Sequence, residues 1–198
     1  MGEDRMAHAL QTANVSLLDT FAERFTDHLR QHYFVGGMPE AVKTYAETCG
    51  LVAVREIQNS LLTAHELDFS KYASSQTTER IRYVWHPLPS QLTRENKKFL
   101  CSAVRPGARA RGYEEAIQRL VDAGLALRVS RISKAGLPLS GYEDPKAFRL
   151  YMPDTSLLEA ASGLDASTLI AGNRLFTEFK GALTENYVCQ QLSSPPAR

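Results

Sequence analysis

The 198-residue chain predicts a mainly α fold with a small β element. Three observations carry this. Apolar residues recur at spacings of three and four over most of the length. Two short strand-like stretches, 126–132 and 148–152, flank a loop rich in turn formers: Ser133, Gly136, Pro138, Ser140, Gly141 and Pro145. A polar segment, Ala73-Ser74-Ser75-Gln76-Thr77, separates an all-helical beginning from this mixed centre.

The elements follow in order. Residues 16–33 predict one amphipathic helix, with Leu17, Leu18, Phe21, Phe25 and Leu29 on its apolar face. Gly36-Gly37 ends it, because glycine reaches backbone angles that other residues avoid. Pro39 suits the first turn of the next helix, where its missing N–H costs nothing; that helix closes near Gly50. A further helix places Val54, Ile57, Leu61, Leu62 and His65 on one face, so residues 1–72 read as a helical segment. After the linker, Thr78 is the expected cap of a helix bearing Ile81, Val84 and Trp85, which Pro87 and Pro89 interrupt. A short helix through Gln91 and Leu92, a strand at 98–102, a helix at 109–123 closed by Gly124, and the two strands complete residues 78–153. That order is a winged-helix-like plan, a helix-turn-helix variant with a β-wing. Beyond Pro153, Leu157, Leu158 and Ala161 form a short apolar face and Leu175, Phe176, Phe179, Leu183 and Tyr187 a longer one. Residues 154–192 are therefore a helical tail, and 193–198, with Pro195-Pro196, a disordered end.

Composition bounds the function classes. With 43% hydrophobic and 23% charged residues, the chain has the make-up of a soluble globular protein. No stretch approaches the roughly 20 apolar residues of a membrane span, and no apolar signal-peptide core follows Met1, which predicts a cytoplasmic protein with no membrane partner. Cys49, Cys101 and Cys189 match neither a disulfide framework nor a CxxC metal site and read as reduced, mostly buried thiols.

Motifs for chemistry are missing. An ATP site needs G-x-x-x-x-G-K-[ST], so that backbone N–H groups cradle phosphate. Gly37 to Thr44 is the near miss, with Val42 in place of the second glycine and Pro39 removing a donor. His28 and His32 stand four apart on a helix but lack a third ligand, and are read as ordinary helical histidines. No nucleophile elbow occurs, and Glu143-Asp144-Pro145-Lys146 reads as a turn in the wing loop. The chain by itself is therefore not expected to be an enzyme, nor to hold a cofactor or metal.

Charge is informative locally. The net charge is +1, yet residues 94–134 hold 10 basic and 4 acidic side chains. Such a segment suggests an anionic partner, with double-stranded DNA as one candidate and an acidic protein surface as the other. The candidate contact residues are Arg105, Arg109, Arg111, Arg119, Arg128, Arg131 and Lys134. On the expected recognition helix, Tyr113, Ile117, Leu120 and Val121 form the buried stripe, while Arg111, Glu115, Gln118, Arg119 and Asp122 form a face with no net charge. Carboxylates aimed at phosphates disfavour a major groove, so the flanking arginines carry the DNA reading.

A run of motifs adds a resemblance. It comprises Gly36-Gly37-Met38-Pro39-Glu40-Ala41-Val42, Asp68-Phe69-Ser70-Lys71-Tyr72, Pro89-Ser90-Gln91-Leu92 with Glu95-Asn96-Lys97-Lys98-Phe99, and Gly107-Ala108-Arg109-Ala110-Arg111. Phe179-Lys180-Gly181-Ala182-Leu183 before Glu185-Asn186-Tyr187-Val188 extends it. Together, over about residues 16–190, these resemble the C-terminal region of a prokaryotic AAA-type P-loop ATPase family, a domain of unknown function that follows the ATPase core. The resemblance implies a lid-like segment over 1–72, a winged-helix-like domain over 78–153, and over 154–192 the start of a restriction-endonuclease-like domain that is truncated here. ATP and magnesium are implied only for the missing core. Glu185 falls where the nuclease-like fold carries an acidic residue, but stands alone and reads as a helix-N-terminal or surface glutamate. The resemblance implies a module that recognises a partner, DNA or protein, and couples it to the ATPase core. The alternative is a docking or self-association module with no nucleic-acid partner; a nuclease remnant ranks below both. If the nuclease-like sheet is absent, the face of Phe176, Phe179, Leu183 and Tyr187 lacks its cover, which predicts docking or self-association through it.

Overall fold

The computed structural model describes residues 2–71, 73–93, 99, 112–164 and 174–194. Among these the protein is mainly α with a small antiparallel β hairpin, as the periodicity predicts.

Helices α1 (Gly2–Gln11), α2 (Val15–Thr20), α3 (Ala22–Val35), α4 (Pro39–Thr48) and α5 (Leu51–Asp68) form the N-terminal part. The single helix expected over 16–33 is broken at Phe21, whose backbone leaves helical geometry between α2 and α3. Asn14 caps α2, its side-chain oxygen accepting from the Leu17 amide. Gly36 ends α3 at φ +73°, and Pro39 opens α4 at its first turn. Cys49, in the left-handed region at φ 50°, closes α4, and Gly50 starts α5.

The centre comprises α6 (Ser75–Trp85), α7 (Leu88–Leu92), α8 (Glu114–Asp122), β1 (Leu127–Ile132) and β2 (Glu143–Tyr151), with a 3-10 turn at Leu139–Tyr142. The expected linker 73–77 is not one: Ser74, rather than Thr78, caps α6 by accepting from the Thr77 amide. Thr77 and Thr78 are buried, and the Thr78 hydroxyl donates to the Phe69 carbonyl. The two strands pair from Leu127 with Tyr151 to Ile132 with Glu143, with a bulge between Ser130 and Arg131. Glu143-Asp144 thus belongs to β2 rather than to a loop turn. The amide of Phe99 donates to the Phe148 carbonyl on the other edge of β2; the rest of the expected strand at 98–102 lies outside the described residues.

The tail contains α9 (Thr155–Ala161) and α10 (Arg174–Ser193). Residues Thr155 to Ala160 of α9 are all buried, because this short helix packs among α3, α5, α7 and α10. Ala161, expected on its apolar face, is exposed.

One apolar cluster joins the three segments that the sequence divides. Phe34 and Val54 come from the first, Trp85 and Ile117 from the second, Leu157 and Leu183 from the third. Leu183 and Phe179 are buried in it, and Tyr187 packs against Tyr33 and His32 with ring centroids 5.4 Å away in both cases. Of the α10 face expected to lack a cover, Phe179 and Leu183 lie in the chain's own core, where α9 packs on α10, and Tyr187 rests on α3. The Phe176 side chain lies outside the described residues.

Candidate functional site

The hairpin and the start of α8 position two of the arginines singled out by the sequence, Arg119 and Arg128. Arg128 of β1 donates to Glu114 Oε1 at 2.6 Å and its guanidinium lies 4.3 Å from the Phe148 ring centroid. Only 19% of its side chain is exposed. It fastens the first turn of α8 to the hairpin and is not free to grip phosphate. Arg119 donates to Glu115 one turn earlier on α8, the i,i+4 pairing that the spacing predicts. Arg131 is exposed and sits opposite Asp144 in the strand register. Lys134 is exposed in the loop after β1. Arg105, Arg109 and Arg111 lie outside the described residues. Where the basic surface is described, then, carboxylates of the same chain accompany three of its four cations.

A different surface forms beside it. Val129 on β1 and Val188 and Leu192 on α10 are 45%, 47% and 82% exposed. With Arg149, Tyr151, Thr184, Glu185 and Cys189 they line an open groove of about 530 Å³ between the hairpin and the end of α10. Its polar floor is tied within the chain: Arg149 Nη1 lies 2.7 Å from Glu185 Oε2 and 2.9 Å from the Tyr151 hydroxyl. Glu185 is therefore a mid-helix, half-buried, ion-paired residue, not a helix-N-terminal or freely solvated one.

The Gly36-Gly37-Met38-Pro39 motif has a structural task. The Gly37 amide donates to Asp154 Oδ2 at 2.8 Å, while Asp154 Oδ1 accepts from the amide and hydroxyl of Ser156 and so caps α9. Gln190 of α10 reaches Asp154 and Thr155, and Asn186 bridges the Met152 backbone, accepting from its N–H at 2.8 Å and donating to its carbonyl at 3.1 Å. A Cβ on Gly36 would enter the van der Waals shells of Ser156 and Asp154.

Residues 26–168 match the model of a family described as a domain of unknown function, DUF8612. The chain belongs to that family. The DUF8612 match takes in the glycine motif, Asp154 and the whole hairpin, and stops short of α10, which supplies Asn186, Gln190 and Glu185. No curated protein and no solved structure matches the chain.

Two further buried groups went unread in the sequence. Glu159 is fully buried on α9, with Oε2 3.4 Å from Arg55 Nη2, and Arg55 lies over the Phe34 ring. Burial pushes the Glu159 carboxyl up to about 8, against the pull of Arg55. Gln58 is also fully buried, and its amide donates to the Phe34 carbonyl at 2.6 Å. Both sit where helical spacing alone predicts apolar contact. Among the described residues no group of three or more His, Cys, Asp and Glu is placed to hold a metal, and no helix is long and apolar enough to cross a membrane. His32 packs on Tyr187 instead of pairing with His28 at an ion site. Cys49 is exposed rather than buried, and Cys189 is half-buried.

Proposed function

We propose that this DUF8612 chain is a non-catalytic interaction module that docks on a protein surface through the groove between the hairpin and α10. One observation carries the reading: Val129, Val188 and Leu192 present a contiguous apolar rim around an internally neutralised polar floor. Exposed apolar surface with a polar centre suits a protein partner and repels no phosphate specifically, but offers it no unpaired cation. The resemblance to the region that follows an AAA-type ATPase core supplies the partner: such a core, whose activity the module would couple to its own docking. Co-elution of the chain with a separately expressed ATPase core of that family tests this. Complex formation that Val188→Glu and Leu192→Glu abolish supports the reading.

A second reading, a winged-helix-like DNA-binding module, rests on the order helix, helix, helix, hairpin and on the excess of basic residues over 94–134. It draws on Arg105, Arg109, Arg111, Arg131 and Lys134. The pairing of Arg119 and Arg128 with α8 carboxylates ranks it second.

A further inference from the structure

The hairpin has two backbone edges, and among the described residues one of them is occupied. On the β2 side the Phe99 amide donates to the Phe148 carbonyl. On the other side the sheet ends at β1. Two bonds fix the direction of each backbone group along β1. A residue of an antiparallel strand turns its N–H and C=O to the same side, and the side alternates along the strand. Phe148 turns toward Phe99 and away from β1, so its register partner Ser130 turns away from β2. Past the end of β1, Ser133 turns toward β2, its amide donating to the Tyr142 carbonyl at 2.8 Å, so Ile132 turns away. Both bonds give the same alternation: the N–H and C=O groups of Arg128, Ser130 and Ile132 line the open edge. No backbone bond of these three reaches another part of the described chain.

Two devices that commonly close off a sheet edge are missing from β1. It contains no proline, and the register irregularity places its extra residues, 145–147, on β2, so that β1 runs on unbroken. The edge also opens onto the docking groove. Val129, between Arg128 and Ser130, faces that groove with its register partner Arg149, across from Val188 and Leu192 of α10. Backbone donors and acceptors thus recur at every second residue, beside an apolar wall for the side chains in between. That combination selects an extended polypeptide. A helix bonds its N–H and C=O groups internally and has none to give to the edge. A second copy of the chain fits less well. Centring two β1 strands on Ser130, the register that uses all three residues, makes the two Arg131 side chains diagonal neighbours on one face, where long like-charged side chains reach each other.

We propose that the partner docks by adding an extended segment antiparallel to β1, with apolar side chains at alternate positions facing Val129 and the groove. This rests on the docking reading of the groove and names what enters it. Arg128, Ser130 and Ile132 bond to the backbone of the segment. Directly opposite residues of an antiparallel pair share a face. The apolar residues of the segment, opposite Val129, therefore turn their own amides away from β1, and the residues between them turn theirs toward it.

The probe is a short labelled peptide of alternating threonine and valine, acetylated and amidated, with a glutamate at each end for solubility. Its fluorescence anisotropy is followed as the full chain is added. Saturable binding is expected below about 1 mM. N-methylation of the threonine amides, which face β1, weakens it at least about tenfold, while N-methylation of the valine amides, which face away, leaves it unchanged. Ser130→Pro removes one outward N–H and spares the bonds to β2, as proline does on a sheet edge, and weakens the peptide by a similar factor with the circular dichroism spectrum retained. Should that variant fail to fold, the two methylated peptides still decide. No saturable binding up to about 1 mM chain overturns the proposal, as does equal weakening by both methylations. A dimer in sedimentation that Ser130→Pro dissolves also overturns it, by giving the edge to a second copy. An ATPase core that still binds Ser130→Pro but not Val188→Glu rejects the added strand and leaves the docking groove standing. Peptide binding without core binding rejects that core as the partner and leaves the strand edge standing.

Discussion

The Gly37 amide donates to Asp154 Oδ2 at 2.8 Å across 117 residues of sequence. This bond joins the end of α3 to the cap of α9, and through Gln190 to α10. It accounts for two adjacent glycines that otherwise look like a simple helix stop. Gly36 holds φ +73°, and a side chain there meets Ser156 and Asp154. Gly36→Ala is therefore expected to lose about 3 kcal/mol or more, through backbone strain and overpacking. Urea unfolding monitored by circular dichroism measures it.

Asp154→Ala removes a helix cap, the acceptor for Gly37 and a partner of Gln190 in one step. All three lie in buried or half-buried surroundings. A loss of about 2–4 kcal/mol is expected in the same unfolding assay, more than an exposed cap costs, because the Gly37 amide is left with no acceptor.

Glu159 couples stability to pH. Its carboxyl is raised from 4.5 to about 8 in the folded protein. The unfolded chain releases this proton near the ordinary carboxylate value while the folded chain still holds it. The stabilisation is thus full below about pH 4.5 and falls as pH rises towards 8, by an amount on the order of a few kcal/mol. Glu159→Gln, which stays neutral, removes this component. Denaturation midpoints between about pH 5 and 9 should fall in the parent and stay flatter in the variant.

Arg128 is expected to matter for folding rather than for nucleic acid. Arg128→Ala loses the Glu114 contact and the packing on Phe148, at about 1–2 kcal/mol. Thermal unfolding reads the loss. The same substitution should not alter any salt-dependent binding of a labelled duplex, whereas a phosphate contact would flatten its salt slope.

Much of the fold was legible because periodicity and turn chemistry report local structure directly. The positions of α4, α5, α7 and the hairpin follow from Pro39, Gly50, Pro87 with Pro89, and the turn-rich loop. The polar stretch at 73–77 misled, because serine and threonine serve equally as linker residues and as helix caps; Ser74 does the second. Local patterns also do not show that Phe34, Trp85 and Leu157 meet in one core. The candidate basic site was visible as a charge count, but a count does not show that Glu114 faces Arg128 from 14 residues away. Glu159, Asn186 and Gln58 carried no sequence signal, since each is a polar residue whose partners come from distant parts of the chain, and Asp154, a local helix cap, gave no sign of its bond to Gly37.

The docking account is tested most directly by calorimetric titration of the chain into a purified AAA-type ATPase core of the resembled family. The account predicts saturable binding that Val188→Glu eliminates and Arg131→Ala leaves unchanged. No heat of binding to the core, together with tight, steeply salt-dependent binding of the chain to duplex DNA, would contradict it.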